Sequence, residues 1–406
     1  MTDGATIPRS GWTVDPEGLL RRETVHRMTR RCLNWDYCGR GVYLITLELN
    51  DRSRPLLGRL ACLPIHGLAP EAAIDLLREA AIEPTVLGAK IETHFRRISE
   101  FSPEIEVIGV QLMPEHLHGV VRVAQRMAKP LGEQLRGFKI GATKIARELR
   151  IISGIDAGER SRGRGLFADG FVDTILGDDD AVKKGVAYML DNPRRLAIKR
   201  AFPELFKVLG DLCQPIDGLE RPAHFAAIGN RSLLKLPHIL QVQVSRSDFA
   251  YKRDAGGAIE RSAIEGRAQA AFASDAFEAK AAGLSAAAAH GAVLVSPCIS
   301  DGEREIAARA YAAGRKVIAL KNKGFSPLYK PGGKLFEQCA AGNLLLLAPA
   351  AWPYLPGEKK ITRMDACALN RIAQLIAGRG AVEINYKGYD PGNIDRYVKE
   401  ALKIGG

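Results

Sequence analysis

The sequence predicts two unlike domains: an α+β domain built on an antiparallel sheet, then a parallel α/β domain. Three observations carry that expectation. At 406 residues the chain is longer than one ordinary core organises. Its first half sets short runs of β-branched and aliphatic residues close together, with turn residues between them. Its last third alternates apolar runs with helical patterns, as successive β-α units do.

After an N-terminal segment, residues 1–34, Val42 to Leu49 reads as a strand, Asp51 to Pro55 as a turn, and Leu56 to Leu63 as its antiparallel partner. Pro70 to Ala81 and Pro84 to Ile98 carry helical spacing, with proline at or near each start. Strands Glu104 to Leu112 and Glu115 to Val123 follow, joined at Met113-Pro114, and then a basic helix, Leu131 to Arg150. Ser153 to Arg164, rich in Gly, Ser, Asp and Arg, reads as an exposed mobile loop. Asp178 to Asp191 reads as a helix with an acidic first turn, stopped by Asn192-Pro193. These elements assign residues 35–212 to the α+β domain.

Residues 213–262 are less regular and are expected to hold a linker or boundary, with Gln241 to Arg246 as a polar strand candidate. From Ala263 to His290 the chain is alanine-rich and helical in propensity. Strands are expected at Gly291 to Ser296, Lys316 to Leu320 and Asn343 to Leu347, with helices Gly302 to Ala313 and Lys334 to Ala341 between them. Gly314 and Gly342 stand where helix C-caps belong. This alternation argues a Rossmann-like α/β domain over residues 263–406.

The hydrophobic fraction of 46% and charged fraction of 26% are those of a soluble globular protein. Lysine and arginine outnumber aspartate and glutamate 58 to 46, giving +12. A polyanion is the expected partner, because much of the excess is concentrated in Arg122, Arg126, Lys129, Arg136, Lys139, Lys144, Arg147, Arg150, Arg160, Arg162 and Arg164. A solvated helix face would carry the same run. The start lacks an export pattern and no apolar run reaches membrane-spanning length, so a cytoplasmic protein with no membrane partner is expected. Seven scattered cysteines without a Cys-x-x-Cys pair read as reduced thiols.

The most informative local feature is His116-Leu117-His118. Residues two apart on a strand project from one face, so two imidazoles would stand side by side, with Leu117 toward the core. Imidazole nitrogen is a good ligand for divalent metals, and a rigid pair needs only one further ligand and open positions to become catalytic. On spacing alone, a solvated strand face is the more common reason for such a pair. Tyr188 and Asn192 lie four apart on a later helix and therefore share a face.

Taken together, Met113-Pro114-Glu115-His116-Leu117-His118, then Leu166 to Asp173, then Tyr188-Met189-Leu190-Asp191-Asn192-Pro193 resemble the motifs of the HUH single-tyrosine transposases. The likeness is to the branch called REP-associated tyrosine transposases and covers roughly residues 35 to 200. It implies a ferredoxin-like or RRM-like HUH nuclease domain. It also implies a divalent metal, Mg²⁺ or Mn²⁺, held by His116 and His118, with Asn192 at the position of a third ligand. Tyr188 would be the nucleophile, cutting single-stranded or hairpin DNA through a 5′-phosphotyrosine link that a second 3′-hydroxyl can reverse without ATP. Homodimers are common among such enzymes, although these residues do not specify one. Glu115 stands where the family usually has asparagine and, pointing to the opposite face, is expected to change little. The C-terminal extension is absent from small members of the family.

Arg122, Arg136, Lys139, Lys144 and Arg147 are the expected phosphate contacts. In the second domain Ser300, Asp301 and Gly302 follow a strand and open a helix, which makes them a candidate anion site and leaves a nucleotide as an open ligand. The layout there faintly resembles the Rossmann-like domain of DprA and SLOG-type DNA-processing proteins. Two rivals stay open: a domesticated DNA-binding protein with little activity, and a nucleotide-binding α/β protein that its N-terminal half delivers to DNA.

Overall fold

The computed structural model describes residues 35–65, 67–152, 165–261, 268–326, 329–357, 360–383, 386 and 388–404, and the backbone of 12–14 and 20–22. The Ser153 to Arg164 loop and most of the N-terminal segment lie outside the described residues. The chain divides into two compact units, residues 1–63 with 79–197 and residues 64–78 with 198–406. Among the described residues no helix is long and apolar enough to cross a membrane.

In chain order the first half contains β1 (Trp12–Val14), β2 (Leu20–Arg22), β3 (Gly41–Glu48), β4 (Gly58–Ala61), α1 (Pro70–Leu76), β5 (Ala81–Pro84), α2 (Val86–Arg96), α3 (Ile98–Phe101), β6 (Ile105–Leu112), β7 (His116–Val123), α4 (Leu131–Glu148), β8 (Val172–Leu176) and α5 (Asp179–Ala201). The first unit is built on an antiparallel sheet in the order β6-β7-β3-β8. Alternation along β3 and β7 sorts their side chains between two faces. Tyr43, Ile45, Leu47, Leu117, Val121 and Val123 pack with Leu87, Ile91 and Phe95 of α2 and with Leu131, Leu135 and Phe138 of α4. Gly119 permits this close layer, because a Cβ there would fall 2.5 Å from the Phe95 ring. The other face carries Val42, Leu44 and Val120, on which Val182, Val186 and Met189 of α5 pack.

Three expectations are corrected in this half of the chain. The strand within Leu56 to Leu63 does not pair with β3, whose two edges are taken by β7 and β8; β4 pairs with β5 instead. The helix expected through Ala81 ends at Leu76, and the chain turns through Leu77–Glu79 into β5. Most important, α5 does not stop at Asn192-Pro193 but runs through Pro193 to Ala201. Proline at 193 has no N–H for the Met189 carbonyl. The Asn192 side-chain amide donates to that carbonyl at 3.3 Å and to the Tyr188 carbonyl at 3.0 Å, so the helix continues.

The remaining elements are β9 (Leu209–Gln214), β10 (Ala223–Gly229), β11 (Ile239–Gln241), β12 (Phe249–Tyr251), β13 (Ala270–Ala273), α6 (Asp275–Ala289), β14 (Val293–Ser296), α7 (Asp301–Ala312), β15 (Val317–Leu320), α8 (Gly333–Ala340), β16 (Leu344–Pro349), α9 (Arg363–Ala377) and α10 (Pro391–Ala401). They form a mixed sheet in the order β11-β14-β15-β16-β10-β9, in which β11, β14, β15 and β16 are parallel, β10 pairs antiparallel with β16, and β9 pairs antiparallel with β10. Both faces are covered. Leu294, Val317, Ala319, Leu344 and Leu346 pack with α6 and α7, while Val293, Val295, Ile318, Leu320, Leu345 and Leu347 pack with α9 and α10. Double-sided burial explains why these strands read as unbroken apolar runs.

Residues 213–262, expected to hold a linker, carry β10, β11 and β12 and the end of β9. The two antiparallel strands therefore extend a sheet expected to be parallel throughout. Ala223-His224-Phe225-Ala226-Ala227 has too little hydrophobic bulk to stand out, yet Ala223, Phe225 and Ala227 are fully buried. The alanine-rich helix is also shorter than expected. Its N-cap is Ser274, and β13 precedes it, pairing with β12.

Candidate active site

The sheet register places Thr46 opposite His118 and Glu48 opposite His116. Both histidines therefore lie on the face that α5 covers, two and four residues along β7 from Val120, which packs with Met189. Leu117 points into the opposite core, as expected. His118 is 8% exposed rather than solvated.

The two rings meet edge to face with centroids 4.6 Å apart, and their Nε2 atoms are separated by 3.0 Å. Each Nδ1 faces a protein oxygen. His118 Nδ1 is 2.9 Å from Thr46 Oγ1, and His116 Nδ1 is 3.4 Å from Glu115 Oε1. The expectation that Glu115 would face away is thus corrected: it precedes β7, in a bend, where strand alternation does not apply. Burial, reinforced by the neighbouring His116, pushes the His118 imidazole down to about 3, with Glu115 opposing the shift. A neutral ring whose Nδ1–H is donated to Thr46 keeps its Nε2 lone pair available.

An Nε2 separation of 3.0 Å suits an N–H···N hydrogen bond, and it also suits a metal. Two nitrogens about 2.1 Å from one ion, at the ~90° of an octahedral shell, stand about 3.0 Å apart. The donor set, two imidazoles with both Nδ1 atoms facing protein oxygens, fits a divalent cation. Among the described residues no group of three or more His, Cys, Asp and Glu side chains could hold a metal ion.

Tyr188 and Asn192 lie on α5, the helix that crosses this face. Tyr188 is 46% exposed. Asn192 spends its amide N–H groups on the helix carbonyls, which leaves Oδ1 as the atom able to accept or ligate. Among the described residues no hydrogen bond joins Tyr188 or Asn192 to either histidine. Two further residues were not marked by motif. Thr46 becomes visible only through cross-strand register, and Arg195 only because α5 continues: its guanidinium lies 5.3 Å from the centre of the Tyr188 ring.

The basic residues divide. Arg136 and Lys144 are exposed on α4, and Arg147 is half-buried. Arg122 pairs with Glu106 at 3.1 Å on the sheet surface. Lys139, expected to hold phosphate, donates its ammonium to the carbonyls of Ala168 and Gly170. In the second unit the expected anion site at Ser300, Asp301 and Gly302 is corrected. Glu303 accepts from the amides of Ile299 and Ser300 at 2.7 and 3.2 Å, Ser300 caps the Glu303 amide, and Asp301 pairs with Arg253 and Arg304. A Cβ on Gly302 would fall 2.4 Å from Val244. An arriving anion would meet two carboxylates, so the helix start already holds the negative charge its dipole favours.

No family model matches the chain, and no curated protein does. Among solved structures, one of a REP-associated tyrosine transposase bound to a REP hairpin is similar to it with a TM-score of 0.24 and 13% identity, over 40% of this chain and 72% of that one.

Proposed function

We propose that the first unit is a metal-dependent single-stranded DNA endonuclease and strand transferase, a transposase-like enzyme with Tyr188 as nucleophile. The observation that carries this reading is the histidine pair itself, with Nε2 atoms 3.0 Å apart and both Nδ1 atoms turned onto protein oxygens. A solvated strand face has no need of that arrangement. His116 and His118 would hold Mg²⁺ or Mn²⁺, with the Asn192 amide oxygen as third ligand. The bound cation would stabilise charge developing on the phosphoryl oxygens.

Tyr188 Oη gives up its proton and attacks phosphorus, the bond to the 3′ oxygen breaks, and that oxygen takes up a proton to leave a free 3′-hydroxyl. Two features of the chain favour this chemistry. The tyrosine side chain is exposed enough to meet a strand, and α5 carries it across the face that holds the histidines. Phosphate contacts are assigned to Arg136 and Lys144 of α4, with Arg147 on the same helix and Arg122 on β7.

The test is incubation with a pool of single-stranded hairpins and Mg²⁺ or Mn²⁺, followed by denaturing electrophoresis. A covalent protein–DNA adduct that needs metal and vanishes in Tyr188→Phe is the expected outcome. DNA binding without an adduct across the pool would make the protein a binding module and overturn the enzyme reading.

A further inference from the structure

Tyr188 belongs to a stripe on α5 that continues past the proline. Asp191, Asn192 and Arg195 follow at spacings of three, four and seven residues, which keep them on or beside one helix face. Arg195 is 8% exposed, low for an arginine. Its guanidinium carbon lies 5.3 Å from the Tyr188 ring centre, and its NH1 is 3.7 Å from the Asp191 carboxylate. That carboxylate is also held by Arg194 Nε at 2.6 Å. A largely exposed tyrosine on a helix would otherwise sample several rotamers. Here one face of the ring rests on a cation that is itself anchored.

We propose that Arg195 is a positioning residue, which holds the phenol ring of Tyr188 in one orientation through its face and leaves Oη outward for attack, with Asp191 as its tether. The proposal rests on the reading of Tyr188 as nucleophile. Its energetic source is the attraction of a partly desolvated guanidinium for an aromatic face. The rotamer freedom lost in reaching the reactive geometry is given up on folding and not at each turnover. Arg195 is 8% exposed and offers little surface to a strand, so strand affinity is expected not to depend on it.

The test compares wild type, Arg195→Met, Arg195→Lys and Asp191→Asn in two measurements. The first is the single-turnover rate of adduct formation on a 3′-labelled hairpin strand, set against affinity for the same strand by anisotropy. Arg195→Met should slow the adduct about 2- to 30-fold with affinity unchanged. Arg195→Lys should recover part of the rate, and Asp191→Asn should fall between wild type and Arg195→Met. A wild-type rate in Arg195→Met overturns the proposal, as does a loss of affinity that accounts for the whole effect. The second measurement needs no reaction: ¹⁹F spectra of protein carrying 3-fluorotyrosine, with the Tyr188 signal assigned from Tyr188→Phe. That signal should shift in Arg195→Met and largely return in Arg195→Lys. An unmoved signal overturns the proposal. If wild-type protein makes no adduct, the nuclease reading fails, and the fluorine signal still decides whether Arg195 holds the ring.

Discussion

Burying His118 ties the stability of the first unit to pH. Its imidazole titrates near 3 in the folded protein against an ordinary value of 6.5, chiefly because burial disfavours the charged form. Between those values the unfolded chain binds the proton that the folded one refuses. Stability from this residue is therefore complete above pH 6.5 and is lost as pH falls toward 3, by an amount on the order of a few kcal/mol. Urea midpoints measured across that window without added metal should fall with acidification, and the fall should be shallower in His118→Gln. An identical slope in the variant would show that His118 is not the titrating group. The same residue shows what a motif conveys and what it leaves out. The spacing of the histidines put both imidazoles on one face, but their partners Thr46 and Glu115 depend on register and on a bend, which single-residue patterns do not encode.

At the scale of elements, α5 is where local sequence signals and the fold disagree most. Asn-Pro is a sound reason to end a helix, since proline removes a donor and restricts the residue before it. In this chain the asparagine side chain supplies the missing donor to the Met189 carbonyl at 3.3 Å, and apolar packing of Val182, Val186 and Met189 holds the helix on the sheet. The two residues should therefore be coupled. Asn192→Ala is expected to cost about 1 kcal/mol in urea melts of the wild-type background. In a Pro193→Ala background the cost should be smaller, because the alanine N–H restores the helical bond. Equal costs in both backgrounds would refute the compensation.

Long elements such as α4, β3 and β7 were legible because regularly spaced apolar residues mark the face each turns to the α2–α4 core. Strands β8 and β10 were not. The first follows an aromatic and glycine stretch that masks its start, and the second is made largely of alanine, whose burial leaves little trace in a hydrophobic pattern. The helix-start anion site shows the complementary error. A strand-to-helix junction does present amides, but Glu303 and Ser300 form a reciprocal capping box over them, and only the spacing from Ser300 to Glu303 could have announced it.

For the whole molecule, a charge of +12 is a statement about partners only where the cations are available. The structure separates those groups. Arg136 and Lys144 face solvent on α4, whereas the Lys139 ammonium is spent on the carbonyls of Ala168 and Gly170 and serves the fold. Binding to single-stranded hairpin DNA should therefore weaken linearly on a log–log plot against salt, with a slope of roughly −0.7 for each phosphate neutralised. Arg136→Gln and Lys144→Gln should each make that slope shallower by about 0.7. Lys139→Gln should leave the slope unchanged and lower the melting temperature instead, because it frees a loop and not a phosphate. Anisotropy titrations over a range of KCl concentrations read the slope, and thermal melts read the stability. A slope near zero in wild type would mean that the basic excess meets no polyanion. A slope changed by Lys139→Gln alone would move the strand from the exposed face of α4 to the segment around Ala168.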